Sequence, residues 1–466
     1  MARCYCRWRN VLMCLCAPCI LMVLLFTYIT LMVCFNMTVT TSTSGTAMLL
    51  RGAEITHFIA SGTYRTNFLA PLPKTFWDLH PHRGAVWNEL QLAIDRYYNP
   101  ILSPKRKYKR LNPMYESLLG QSFSTVGDLD TSMSKFANLP QRMLEFVSHM
   151  HQRDYPILIQ PNMTCGAGAK EEKEPPLLLL AIKTTGMNFE NRQAIRQSWG
   201  QAGWVAGHKR NRGGEGEGSE REGGGYVRRV FLLGKENHKE LGVDISELLF
   251  LESKHYGDIL QWDFRDSFFN LTLKDVLFWD WFSRLCGRTR FVFKGDDDIF
   301  VNTPAMIDYL QDQLQKPKAH SVMRDFMVGD VIGAAIPNRV NKSKYFVPDS
   351  FYKGLYPAYA GGGGVVYSGL LTKRLNHISK RVHLFPIDDV FVGMCMVRLN
   401  AYPTHNPAFL TFDFPEKEEE EPCAYHTILV VHKRRPSQVL KLWAGLNETQ
   451  AECWNATLRN ANNKKN

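Results

Sequence analysis

Residues 291–303 read FVFKGDDDIFVNT, and no other stretch so narrows what this chain can fold into. Two apolar, β-prone runs (Phe291, Val292, Phe293 and Ile299, Phe300, Val301) flank three adjacent carboxylates, Asp296, Asp297 and Asp298. Neighbouring acids repel one another, so a fold that sets them against buried strand ends needs compensation. A divalent cation is the usual one, and hard oxygen ligands suit Mg2+ or Mn2+. In an extended chain alternate side chains share a face, so Asp296 and Asp298 point together while Asp297 points away. That is a metal clip at a strand end, where open α/β sheets bind ligands. A solvated acidic turn would carry the same triplet, so its weight rests on context.

The context is a series of short buried runs. LLLLAIK (177–183) has the length of a buried strand, and NRQAIRQSWG (191–200) reads as a helix ending at a glycine. Its Arg192 and Arg196, four apart, share a face and could simply pair with neighbouring acids. RVFLLG (229–234) is a second strand. DILQWDFRDSFFNLTLKDVLFWDWF (258–282) starts as a strand and continues as an apolar helix. The acidic triplet then ends a third strand. Strands alternating with helices of this length predict an α/β fold with a mostly parallel central sheet. Further on, GLYPAYAGGGGVVYSG (354–369) holds four consecutive glycines, which let backbone approach a ligand closely. HLFPIDDVFVGMC (383–395) places Asp388 and Asp389 between a short apolar strand and a helix. TILVVHKRR (427–435) reads as a strand ending on His432. Residues 213–225, rich in Gly, Glu and Arg, read as a flexible surface loop. A helix is expected at 139–151.

Arg3, Arg7 and Arg9 precede residues 11–35, a run without a single charge. It is long enough to span a bilayer and longer than the apolar core of a cleaved signal peptide, though cleavage after Ala17 or Cys19 is the alternative. No Lys or Arg follows until Arg51, which puts the N-terminus in the cytosol. The expected organisation is a cytoplasmic tail (1–10), a type II transmembrane anchor (11–35), a luminal stem (36–75), a pre-catalytic segment packed on the body (76–175) and the body (176–466). Six N-x-[ST] sequons, at Asn36, Asn162, Asn270, Asn341, Asn447 and Asn455, fit a luminal body. Of the cysteines beyond the anchor, Cys165, Cys286, Cys395, Cys423 and Cys453, an oxidising lumen favours two disulfides with one left over. The formal charge of +11 lies partly in short basic runs, and neither a basic helix nor zinc-finger spacing points to nucleic acid.

Taken together, AIRQSWG, RVFLLG, DILQWDFRDSFFNLTLK, FVFKGDDDIFVNT, YPAYAGGGG, PIDDVFVGMC and LVVHK, in this order, resemble the inverting β-1,3-glycosyltransferases of the Golgi. AGGGG and PIDDV resemble the poly-N-acetyllactosamine and keratan-type β-1,3-N-acetylglucosaminyltransferases more than the galactosyl branch. The resemblance implies a GT-A-like nucleotide-sugar-binding fold and a metal-dependent enzyme. It would move GlcNAc from UDP-GlcNAc to the 3-hydroxyl of a terminal galactose on glycoproteins or glycolipids. It also implies roles: Asp298, Asp296 and His432 hold Mn2+ or Mg2+, while Lys183, Arg192, Asp258, Asp296 and Asp297 contact the nucleotide sugar. Asp389 is the general base, with Asp388 beside the acceptor. Family pairing would join Cys165 to Cys286 and Cys395 to Cys423. The expected setting is the Golgi membrane, with homo- or hetero-oligomers of glycosyltransferases left open. Two departures stand out: the long 213–225 insert, and the lack of cysteines between Cys34 and Cys165. The rival readings are a β-1,3-galactosyltransferase using UDP-Gal and a single-pass adhesion or receptor ectodomain without catalysis.

Overall fold

A computed structural model describes residues 84–98, 139–162, 164–165, 175–207, 223–415, 417–448, 453 and 455–460. The expected tail, anchor and stem lie outside them, as do Asn36 and residues 213–222 of the insert. Among the described residues no helix is long and apolar enough to cross a membrane.

The strands are β1 (Ile157–Ile159), β2 (Leu178–Lys183), β3 (Gly203–Ala206), β4 (Gly224–Lys235), β5 (Ile259–Arg265), β6 (Phe291–Asp296), β7 (Ile299–Val301), β8 (Met327–Ile332), β9 (Tyr359–Ser368), β10 (Thr404–His405), β11 (Phe409–Leu410) and β12 (Val430–His432). The large sheet runs β1-β5-β4-β2-β6-β9-β8-β10, with β3 added on β4. Its centre, β5-β4-β2-β6, is parallel, as expected. The flanks are not: β1 and β9 run antiparallel to their neighbours. All six residues of β2 are buried, which explains its unbroken apolar run.

The principal helices are α1 (Val86–Tyr98), α2 (Gln141–His149), α3 (Phe189–Gln197), α4 (Ser246–Tyr256), α5 (Leu271–Leu285), α6 (Thr303–Gln315), α7 (Gly369–Ser379), α8 (Asp388–Arg398) and α9 (Pro436–Asn447). One core layer gathers α5, α7 and α8 with Trp87 of α1 and Met143 of α2; the other gathers α3, α6 and α9. Helix α1 is tied to the body by polar bonds as well. Trp87 Nε1 donates to Leu384 O at 3.0 Å, and Asp95 forms a buried pair with Arg398 at 2.6 Å. A small sheet, β11-β12-β7, takes up the chain directly after β6, through β7.

Three expectations are corrected. No strand precedes the acid pair; Asp388 and Asp389 open α8 directly from a loop. The insert gives up its last glycines to β4. A Cβ at Gly224 would strike the Trp204 ring at 2.7 Å, and one at Gly225 would strike Leu177 at 2.4 Å, so the glycines let β4 run longer than RVFLLG. The cysteines pair as Cys165–Cys286 and Cys423–Cys453, with Cα separations of 5.4 and 5.3 Å, and Cys395 is a buried free thiol. Cys395 lies inside α8 in one core layer, whereas Ala424, next to Cys423, packs in the other. No bond spans that separation.

Candidate active site

Parallel pairing of β2 with β6 sets Lys183 opposite Asp296 at the carboxyl edge of the sheet. The chain then turns through Asp297 and Asp298 into β7, and antiparallel pairing with β12 brings His432 opposite Ile299. Ligand atoms of Asp296, Asp298 and His432 all lie within 4.8 Å of one another. His432 Nε2 is 3.2 Å from Asp298 Oδ1 and 4.0 Å from Asp296 Oδ2. Its Nδ1 donates to Thr411 O at 3.1 Å, which turns Nε2 toward the acids as a ligand nitrogen would be turned. Burial opposes ionisation, yet the hydrogen bond and charge of His432 hold Asp298 below the usual carboxylate range. Two carboxylates and an imidazole fit Mn2+ or Mg2+ by donor chemistry. Asp297 does turn away: its Oδ2 accepts from Thr184 Oγ1 and, at 2.9 Å, from Asn188 Nδ2. It braces the loop after β2.

The acid pair sits in a second group. Lys183 Nζ pairs with Asp388 and lies 2.9 Å from Asp275 Oδ1. Lys294 Nζ lies 3.4 Å from Asp275, 3.5 Å from Asp388 and 3.3 Å from Asp389. Burial works against it, but Lys183 and Lys294 hold Asp388 well below the ordinary carboxylate range. Asp389 moves the other way. Burial and the charge of Asp388 raise it to about 7, against the pull of the two lysines. The two adjacent acids are thus driven apart, Asp389 being the one of the pair that exchanges a proton near neutrality; burial and the charge of Asp388 raise Asp296 to about 7 as well. The sequence reading did not single out Lys294 or Asp275. The available signal was a charged residue inside an otherwise apolar strand and an apolar helix.

The four-glycine run is filled by protein. A Cβ at Gly362 would fall 2.6 Å from Asp389 Oδ2, and one at Gly363 would fall 3.1 Å from His432 Cβ. Those at Gly361 and Gly364 would meet Thr411 at 2.7 Å and Phe293 at 2.8 Å. Neighbouring residues of β9 therefore touch Asp389 and His432.

Arg192 and Asp258 are not part of either group. Arg192 grips Glu252 with Nε and Nη2 at 2.8 and 2.7 Å, and donates to Gly186 O at 3.0 Å. Asp258 accepts from Arg196 at 2.9 and 2.7 Å and from Arg229 at 2.8 and 2.7 Å. Both residues are buried, with their polar atoms committed to protein partners. Arg192 touches the site only through the 184–188 loop that it and Asp297 both hold. Of the sequons, Asn162, Asn341, Asn447 and Asn455 are exposed, while half-buried Asn270 donates Nδ2 to Arg265 O at 2.8 Å.

A family model described as Galactosyltransferase matches residues 190–407. Human N-acetyllactosaminide beta-1,3-N-acetylglucosaminyltransferase 2 is 40% identical over 384 residues, 82% of this chain and 89% of that protein. Rat UDP-GlcNAc:betaGal beta-1,3-N-acetylglucosaminyltransferase 7 is 39% identical over 66% of this chain and 72% of its own length. Human UDP-GlcNAc:betaGal beta-1,3-N-acetylglucosaminyltransferase 9 is 41% identical over 63% and 71%.

Proposed function

The chain belongs to the galactosyltransferase family, and on that premise we propose that it is an inverting β-1,3-N-acetylglucosaminyltransferase. It moves GlcNAc from UDP-GlcNAc to the 3-hydroxyl of a terminal galactose on glycoprotein or glycolipid glycans, extending poly-N-acetyllactosamine or keratan-type chains. One observation supports the assignment of roles above the rest. Adjacent Gly362 and Gly363 bring Asp389 and His432 to one short length of β9, so a proton acceptor and a metal-binding group share one edge. The parallel centre with ligands at its carboxyl edge fits a GT-A-like fold.

Asp296, Asp298 and His432 would hold Mn2+ or Mg2+. When bound, the cation neutralises charge on the departing diphosphate. Asp389 takes the proton of the acceptor 3-hydroxyl as that oxygen attacks the anomeric carbon. The bond from that carbon to the diphosphate oxygen breaks, and its electron pair leaves with UDP. Asp388, held ionised by Lys183, keeps Asp389 basic and faces the acceptor side. Lys183 and Asp297 act behind the donor site, one through Asp388 and the other through the 184–188 loop. We place the chain in the Golgi membrane as a single-pass type II protein with residues 36–466 luminal.

The test uses purified full-length protein with UDP-GlcNAc and UDP-Gal on a galactose-terminated acceptor. GlcNAc is transferred, and EDTA stops transfer until Mn2+ or Mg2+ is restored. Transfer of galactose alone, or no transfer from either donor, overturns the reading.

A further inference from the structure

Asp275 is the one carboxylate of the buried lysine group that never reaches the surface: its side chain is 0% exposed, against 13% for Asp388 and 14% for Asp389. It projects from α5 between Lys183 and Lys294 and contacts both. Four of the five side chains form a closed ring, and Asp389 hangs from it on Lys294. Asp389 meets Lys294, Lys294 meets Asp275, Asp275 meets Lys183, and Lys183 meets Asp388, which returns to Lys294. Three carboxylates against two ammoniums leave one negative charge in excess. Charge inside a buried group is poorly screened, so that excess falls on the member best able to take a proton.

We infer that Asp275 is a positioning residue for proton transfer: it engages both lysines and so leaves Asp389 free to act as a base. This rests on the assignment of Asp389 as the base. Without the Asp275 charge, Lys294 would be shared by Asp389, 3.3 Å away, and Asp388, 3.5 Å away, with no third acid drawing it off, and Lys183 would be held by Asp388 alone. The carboxylate would then be over-stabilised and a weaker base. The other groups that face Asp389 are Asp388 on its own helix, Lys183 on β2, and Asp296 and Lys294 on β6; Tyr359 of β9 feels its charge in turn. Around Asp275 stand Tyr367 of β9 and Cys395 of α8. Tyr367 accepts a hydrogen bond from Trp279 Nε1 at 3.2 Å, and burial keeps both Tyr367 and Cys395 neutral. None of these replaces the missing charge.

Charge counting gives the test a direction as well as a size. In purified full-length enzyme, Asp275→Asn moves the acidic limb of the kcat/KM profile to lower pH by about one unit and lowers plateau turnover several-fold. Lys294→Met leaves an extra negative charge and moves the same limb to higher pH. The double variant restores the excess of one and brings the limb back toward its wild-type position. Calorimetry with UDP and Mn2+ on each variant reports whether the donor site is still formed. A uniform loss of activity with unmoved limbs, or limbs moving the same way in both single variants, overturns the inference. If Asp275→Asn fails to bind UDP, the double variant decides: one that binds UDP with a restored limb supports the ring, and one that does not overturns it. An active Asp389→Asn enzyme would remove the base assignment itself, which is a separate failure.

Discussion

Two buried charge networks of five side chains each lie in different core layers, one under α3 and one between α5 and α8, and they are built to opposite ends. Under α3, Arg192, Arg196 and Arg229 meet Glu252 and Asp258 through paired guanidinium–carboxylate bonds of 2.6–2.9 Å. The surplus cation is absorbed by aromatic faces: Arg196 lies 4.0 Å over the Tyr256 ring and 4.8 Å over that of Phe231. At the acid pair the surplus is negative, several contacts are looser, and two carboxylates keep a window to solvent. Saturated, fork-shaped bonding fixes a structure. An unsaturated ring with a spare acid at its rim leaves something for a substrate to complete.

The largest effect that separates the two is loss of the proton acceptor. Asp389→Asn keeps shape and volume but cannot take the acceptor proton, so turnover falls by roughly 10²–10⁴-fold while UDP and Mn2+ still bind by calorimetry. Near-normal turnover in Asp389→Asn with a dead Asp388→Asn would move the base one residue earlier. The arginine network answers to a different instrument. Glu252→Ala leaves the buried Arg192 guanidinium without its carboxylate and Arg196 with Asp258 alone, a destabilisation of about 3–5 kcal/mol. It is read as a lower melting temperature, and the material that remains folded keeps its pH profile. If Glu252→Ala instead weakened UDP binding with no change in melting, the network would belong to the nucleotide site after all.

Acidification separates the networks without a mutation. Asp389 has a raised pKa, about 7, so its contribution to stability is fully present below the ordinary carboxylate value and is lost as pH rises through about 7. Lowering the pH therefore protonates the base without unfolding the protein. In Asp258, burial is overcome by Arg196 and Arg229 and the pKa is depressed; its contribution is present above the ordinary value and lost only as pH falls below it. At about pH 5.5 the enzyme should be folded but clearly less active than on its plateau. Circular dichroism and initial rates measured on the same samples check this; parallel loss of fold and rate would tie the two networks together.

How far the sequence revealed this division depended on the range of the interaction. Buried runs such as LLLLAIK announce themselves by composition, because a strand covered on both faces is apolar throughout. The meeting of Asp296 and Asp298 was legible for the same local reason, alternation within DDD, whereas His432 joins them only across the fold. Long-range electrostatics was not legible. Arg192 and Asp258 carry the right chemistry for a nucleotide, and only the fold shows Glu252, Arg196 and Arg229 occupying them. Lys294 and Asp275 are 19 residues apart in sequence and opposite in charge, and nothing local pairs them. Parity rightly left one cysteine spare without saying which, and the pairing of Cys395 with Cys423 implied by the resemblance chose the wrong one. The sheet's flanks turned antiparallel where β9 returns beside β6, a choice made by the connection rather than by composition.

The smallest expected effect tests the link between the proton-accepting and metal-ligand groups. A methyl at Gly362 would land 2.6 Å from Asp389 Oδ2, closer than a Cβ ever sits, so the carboxylate must shift. A methyl at Gly363 would land 3.1 Å from His432 Cβ, a contact relieved by a few tenths of an ångström. Gly362→Ala should therefore lower turnover by roughly tenfold, as small displacements of a positioned group do, and leave UDP–Mn2+ affinity unchanged. Gly363→Ala should do the reverse: a few-fold loss of UDP–Mn2+ affinity with turnover at saturation nearly intact, because it perturbs a ligand and not the base. Both substitutions lie on one strand with one flanking fold, so a general loss of β9 would make the two variants behave alike. Divergent behaviour means that adjacent residues of β9 serve proton transfer and donor binding separately.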